Sequence, residues 1–116
     1  MDTDGTLDVN DRALDVLDVV HAGLHPFCGY EGKTVEENTE AVLGAIRSGK
    51  VDILVHPGNP WFPLDYQTIV EAAASNGVLL EINNASFTRD TGPKNVKFSN
   101  AEGCCKLIFN DLNTVA

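Results

Sequence analysis

The 116-residue sequence predicts an α/β fold, a parallel βαβαβ segment, on three observations. Apolar runs at 16–24, 51–56 and 78–83 read as buried strands. Two stretches of helical periodicity, each opened by a capping residue, lie between them. The αβ connections are short and the βα loops longer, as when helices cover a parallel sheet.

Each element has its own signal. Residues 1–12 are a polar lead-in, and Leu17 to His25 is an apolar segment that closes on His-Pro. Pro26 to Lys33, with Gly29 and Gly32, reads as a loop. Thr34 and Glu37 have the spacing of a capping box, and Val35, Val42, Ala45 and Ile46 recur at helical spacing up to Gly49 in a stop position. The strand at 51–56 follows at once and ends in His56. Pro57 to Pro63 contains Gly58, Asn59 and Pro60 and can continue neither a helix nor a central strand. Asp65 caps the next helix, which passes through Ile69, Val70 and Ala72 to Ala74 and stops at Asn76-Gly77. The third strand, 78–83, begins directly after it.

Alternation places Asp52, Leu54 and His56 on one face of their strand, and Leu79, Glu81 and Asn83 on one face of theirs. With both faces lining a barrel interior, the histidine and the amide meet at one rim. Further on, Thr88 to Asn95 reads as a loop. Ala101 to Leu112 reads as a helix with Cys105, Ile108, Phe109 and Leu112 on one side. Residues 13–90 thus form the core of a single domain, and 91–116 a tail.

Composition narrows the function. Seventeen acidic against eight basic side chains give a formal charge of −9, which repels nucleic-acid backbones and anionic lipid surfaces. No apolar run approaches the roughly 20 residues of a membrane span. The acidic amino terminus lacks a secretory signal, so the expected location is cytoplasmic. Cys28, Cys104 and Cys105 are odd in number and two are adjacent, which argues against a disulfide framework.

The three strands end in His25, His56 and Asn83-Asn84, where α/β folds gather their chemistry. A single strand-end histidine commonly caps or hydrogen-bonds within a core. Two at corresponding ends of successive strands favour metal ligation, and neutral imidazole suits zinc or manganese. His21 lies four residues before His25, more than about 12 Å along an extended strand, and is given a structural role. Asn83 and Asn84 can orient a phosphate or water, or close a turn. Glu81 is expected beneath the site as a hydrogen-bonding partner. Arg89 can grip a phosphate with its planar fork or stay solvated in its loop. Trp61 and Phe62 either wall a pocket or pack their loop.

At the amino terminus, Asp2-Thr-Asp-Gly-Thr-Leu7 resembles the nucleophile motif of haloacid-dehalogenase-type phosphatases, with Asp2 and Asp4 in the two aspartate positions. That motif needs a buried strand before it, and only Met1 precedes Asp2 here. A calcium loop fails as well, because its first ligand position falls before Met1 and no glutamate closes it. A flexible acidic turn is the expectation.

Four segments together carry a stronger likeness: Ala-Gly-Leu-His25-Pro, Val-His56-Pro-Gly-Asn-Pro, Glu71-Ala-Ala-Ala74 and Glu81-Ile-Asn-Asn-Ala-Ser-Phe87. Over roughly residues 4–90 the chain resembles the PHP (polymerase and histidinol phosphatase) superfamily, in its YcdX-like phosphatase branch. The resemblance implies a distorted seven-stranded (β/α) TIM-like barrel with a trinuclear zinc or manganese centre that hydrolyses a small phosphorylated substrate. It makes His25 and His56 metal ligands and puts Asn83 and Asn84 at the rim. The family's amino-terminal His-x-His strand, the glutamate ending a later strand and the carboxyl-terminal Asp-x-His pair find no match. The chain is therefore expected to be an incomplete barrel, starting just after the glutamate position and stopping before the Asp-x-His strand, with little or no turnover by itself. The alternative is a non-catalytic barrel fragment that self-associates into a homo-oligomer to cover its open sheet edges.

Overall fold

The computed structural model describes residues 1–2, 4–25, 34–59, 61–83 and 107–110. In chain order the elements are α1 (Asp11–Leu14), β1 (His21–Ala22), α2 (Val35–Arg47), β2 (Ile53–Leu54), α3 (Tyr66–Asn76), β3 (Leu79–Asn83) and β4 (Leu107–Asn110). The strands form one sheet in the order β1-β2-β3-β4, and every neighbouring pair is parallel.

Both long helices start where their side chains satisfy the free amides of a first turn. The Thr34 hydroxyl accepts from the Glu37 N–H at 3.2 Å while the Glu37 carboxylate accepts from the Thr34 N–H at 3.1 Å. The Asp65 carboxylate accepts from the Thr68 N–H at 3.3 Å, and α3 closes at Gly77 in the left-handed conformation.

Register divides the sheet into two rows. Ala22, Leu54 and Leu80 lie side by side, all buried, beneath Val42, Ala45 and Ile46 of α2 and Ile69, Val70 and Ala73 of α3. His21, Ile53 and Leu79 form the second row on the opposite face, where His21 is exposed and the other two half-buried. This corrects the shared interior expected for Leu54 and Leu79. Leu54 pairs with Leu80, so the Leu54 row and the Leu79-Glu81 row face opposite sides.

Three further expectations change. The first strand shrinks from 16–24 to His21–Ala22, because the Val16 and Leu17 N–H groups donate to the Ala13 and Leu14 carbonyls in a helical turn. Val16, Leu17 and Val19 are exposed. Within the expected helix 101–112, Leu107–Asn110 is a strand that pairs with Leu80 to Asn83, and the rest lies outside the described residues. A short apolar run such as Leu-Ile-Phe fits either period, and the open edge of β3 decides it. The amino-terminal segment is not a free turn. Gly5 N–H donates to the Asp2 carbonyl, Met1 is buried, and its ammonium pairs with Asp8 at 2.8 Å. The turn is pressed so closely onto α2 that a Cβ at Gly44 would lie 2.1 Å from the Asp4 carbonyl oxygen.

The loop after β2 is anchored to α2 rather than draped over it. Buried Asn38 donates its side-chain amide to the Pro63 carbonyl at 3.1 Å, and the Asp65 N–H donates to the Thr39 hydroxyl at 2.9 Å. Phe62 drops into the core while Trp61 stays exposed, so only one of the two aromatics packs the loop inward.

Candidate functional site

Two strand ends build the site. The Val55 N–H donates to the Ala22 carbonyl at 2.9 Å, which draws the chain after β1 alongside the chain after β2. His25 and His56 then face each other with Nε2 atoms 2.8 Å apart and ring centroids 4.4 Å apart, edge to face. At that separation one ring donates and the other accepts, as their tautomers dictate.

His56 is held in an uncommon backbone state. Its φ is +35°, the single positive φ of a non-glycine residue among the described residues. L-residues enter this region at a cost, and such strain concentrates at functional positions. The Pro57 that follows disfavours the right-handed helical alternative. The His56 N–H donates to the buried Glu81 carboxylate at 2.5 Å, and its carbonyl accepts from the Asn59 N–H at 2.9 Å. Both backbone groups of this one residue are therefore fixed.

The pKa of His56 is pushed below the usual histidine value mainly by desolvation and further by the neighbouring His25; the Glu81 charge and a backbone hydrogen bond oppose the shift. Neutral imidazole is the form that binds metals. Two imidazoles sharing a tetrahedral zinc stand about 3.3 Å apart, given Zn–N distances of about 2.0–2.1 Å. The observed 2.8 Å needs only a small separation of the rings to admit an ion. Among the described residues no group of three or more His, Cys, Asp or Glu side chains could hold a metal. The pair can thus supply two ligands of one ion.

The remaining sequence candidates divide plainly. Asn83 ends β3 in register with Asn110 of β4. Asn84 and Arg89 lie outside the described residues, as do Cys28, Cys104 and Cys105. His21 sits on β1, exposed and apart from the pair. Asp4 stands in the amino-terminal turn, where its carboxylate accepts from the Thr6 N–H at 2.8 Å; among the described residues no strand of the sheet leads into it, unlike the phosphatase nucleophile it resembles. Glu81 is buried and hydrogen-bonded beneath the site, in keeping with its strand position. Sequence reasoning missed Gly23. A Cβ there would lie 3.0 Å from His56 Cε1 and 2.8 Å from Val55 Cγ2, so the ring occupies the space a side chain would fill. The glycine just before Leu-His25 was the available signal.

Fold and site together define the class: a parallel α/β protein with a histidine pair at the carboxyl ends of neighbouring strands. Its relatives sharpen that description. The chain is 45% identical over 83 residues to a probable phosphatase of Syntrophotalea carbinolica, covering 72% of this chain and 35% of that protein. It is 46% identical over 98 residues to a probable phosphatase of Acetivibrio thermocellus, covering 84% and 40%. With a probable phosphatase of Shewanella oneidensis the identity is 51% over 85 residues, covering 72% and 33%. The chain therefore spans about a third of the length of the curated relatives it matches. No family model matches it. No helix of the described residues is long and apolar enough to cross a membrane.

Proposed function

We propose that this chain carries part of the metal centre of a PHP-type, metal-dependent phosphatase, with His25 and His56 as ligands and a small phosphorylated molecule as substrate. The carrying observation is the convergence of two Nε2 atoms to 2.8 Å at the ends of neighbouring parallel strands. The names of the relatives support phosphoester hydrolysis. Zinc or manganese bound there would acidify a coordinated water and neutralise phosphate oxygens.

The residues of this chain have simpler tasks. His25 and His56 present lone pairs to one ion, and burial, which pushes the His56 pKa below the usual histidine value, favours the neutral form that does so. Asn83, Asn84 and Arg89 are assigned to the substrate phosphate on sequence grounds. The net charge of −9 opposes an anionic substrate, so binding depends on the cation. With two ligands among the described residues, the chain is expected to bind at most one ion, weakly, rather than the three of the full family centre, and to turn over little or no phosphoester.

Calorimetric titration of the purified chain with Zn²⁺ tests this reading. One ion should bind per chain, at least about tenfold more weakly after His56→Ala. Indistinguishable binding by the two chains would refute it. Saturable hydrolysis of p-nitrophenyl phosphate that disappears in His56→Ala would overturn the expectation of low turnover.

A second reading, self-association, is favoured by Val16, Leu17 and Val19, which are 79%, 48% and 51% exposed just ahead of edge strand β1. A monomeric mass by light scattering across a hundredfold concentration range would dismiss it.

A further inference from the structure

We infer that Glu81 is a positioning residue: its buried carboxylate holds the His56 backbone in the left-handed conformation that turns the imidazole toward His25. The inference deepens the metal-site reading and rests on it for its metal-binding arm. A regular continuation of β2 would put His56 on the helix-covered side with Leu54, two residues earlier. There the next amide would also look for a carbonyl on a neighbouring strand. Instead the His56 N–H donates to Glu81 Oε2 at 2.5 Å, while φ stands at +35°.

The partner is a side chain on the neighbouring strand, and it takes the place of a ladder carbonyl. Glu81 is only 5% exposed, which is uncommon for a glutamate, and its charge strengthens the bond to the amide. The turn that follows His56 fixes the other end of the residue, because the His56 carbonyl accepts from Asn59 N–H. Held at both ends, the residue cannot relax to right-handed backbone without giving up the Glu81 bond. Its ring rests against Gly23, where a Cβ would lie 3.0 Å from Cε1, and reaches His25. At His56 the Glu81 carboxylate bonds the backbone N–H. It acts through the backbone of the residue it holds.

An ordinary tie between strands would give Glu81 a role in stability and none in aiming the ring. Two variants of the full chain separate these. Glu81→Ala removes the acceptor, and Glu81→Gln keeps an amide oxygen at the same reach without the charge. Metal-free NMR reads the aim directly, as nuclear Overhauser contacts between the two imidazole rings. The methyl resonances of Ile46 and Leu80 report the core.

Glu81→Ala should keep the core resonances, lose the ring-to-ring contacts and bind Zn²⁺ about 10–100-fold more weakly. Glu81→Gln should recover part of both. Ring contacts and Zn²⁺ affinity within twofold of the original in Glu81→Ala would overturn the inference. So would loss of the core resonances in Glu81→Gln, which would assign the residue to the fold alone. Should the original chain bind no Zn²⁺, the metal-site reading fails, and the ring contacts still decide the role of Glu81.

Discussion

Two regions of this molecule pack tightly against a glycine, and they treat their polar groups in opposite ways. At the amino terminus the Asp2–Thr6 turn lies against Gly44 of α2, with carboxylates at Asp4, Asp8 and Asp11 close by. Each is satisfied nearby: Asp4 by Thr6, Asp8 by the terminal ammonium, Asp11 by Lys50. Asp4 and Asp11 are held below the usual carboxylate range, by the Thr6 hydrogen bonds and by Lys50 respectively, while staying in solvent. At the strand ends, Gly23 instead makes room for a half-buried imidazole on a strained backbone. The first region has more charge and the second more cost. Desolvation and strain, which folding alone does not reward, mark the better candidate for chemistry.

Substitutions can break that contrast. Gly44→Ala should have the largest effect on stability, because its Cβ would meet the Asp4 backbone, which cannot rotate away. We expect a loss of about 1–3 kcal/mol by urea denaturation, with Zn²⁺ affinity unchanged. A matching fall in affinity would show that the two regions are coupled. Gly23→Ala should do the reverse. Its closest neighbours are side-chain atoms of Val55 and His56, so stability should fall less than for Gly44→Ala while Zn²⁺ affinity drops about tenfold. Unchanged affinity there would detach Gly23 from the site.

Strain at His56 has its own signature. His56→Gly should be more stable than His56→Ala by about 1 kcal/mol, the reverse of the order in helices and strands, because only glycine enters positive φ freely. Equal midpoints in chemical denaturation would remove the claim of strain. The smallest effect concerns pH. The folded His56 pKa lies below the ordinary 6.5, so the unfolded chain takes up the proton first. In chelator, this contribution to stability is complete above pH 6.5 and disappears as pH falls through the lower folded value. His56→Ala should flatten that part of the melting profile, and a profile of unchanged slope would reject the shift.

Features fixed within a few residues were readable in the sequence. The Thr34-Glu37 box, the Asp65 cap and the Gly77 stop depend on local hydrogen bonds and backbone preference, and all three form as spaced. The meeting of His25 and His56 was also readable, because parallel strands bring their carboxyl ends to one edge. Register was not. Whether Leu54 lies beside Leu79 or Leu80 is set by packing between strands 26 residues apart in register, and a one-residue slip exchanges the faces. The same holds for β4, whose pairing with β3 overrides a periodicity that fits a helix. Nothing in Val-His-Pro-Gly announces a left-handed histidine, and the carboxylate that accepts from its N–H, Glu81, lies on the neighbouring strand.

The bare hydrogen at Gly23 has an evolutionary corollary. Any descendant that gains a side chain at position 23 must shift the ring at 56 together with the Val55 side chain beside it. The two positions should be inherited as a unit, glycine with histidine. Across sequences related to this one, substitutions at 23 should be found where 56 has already changed, whatever the rest of the chain has become.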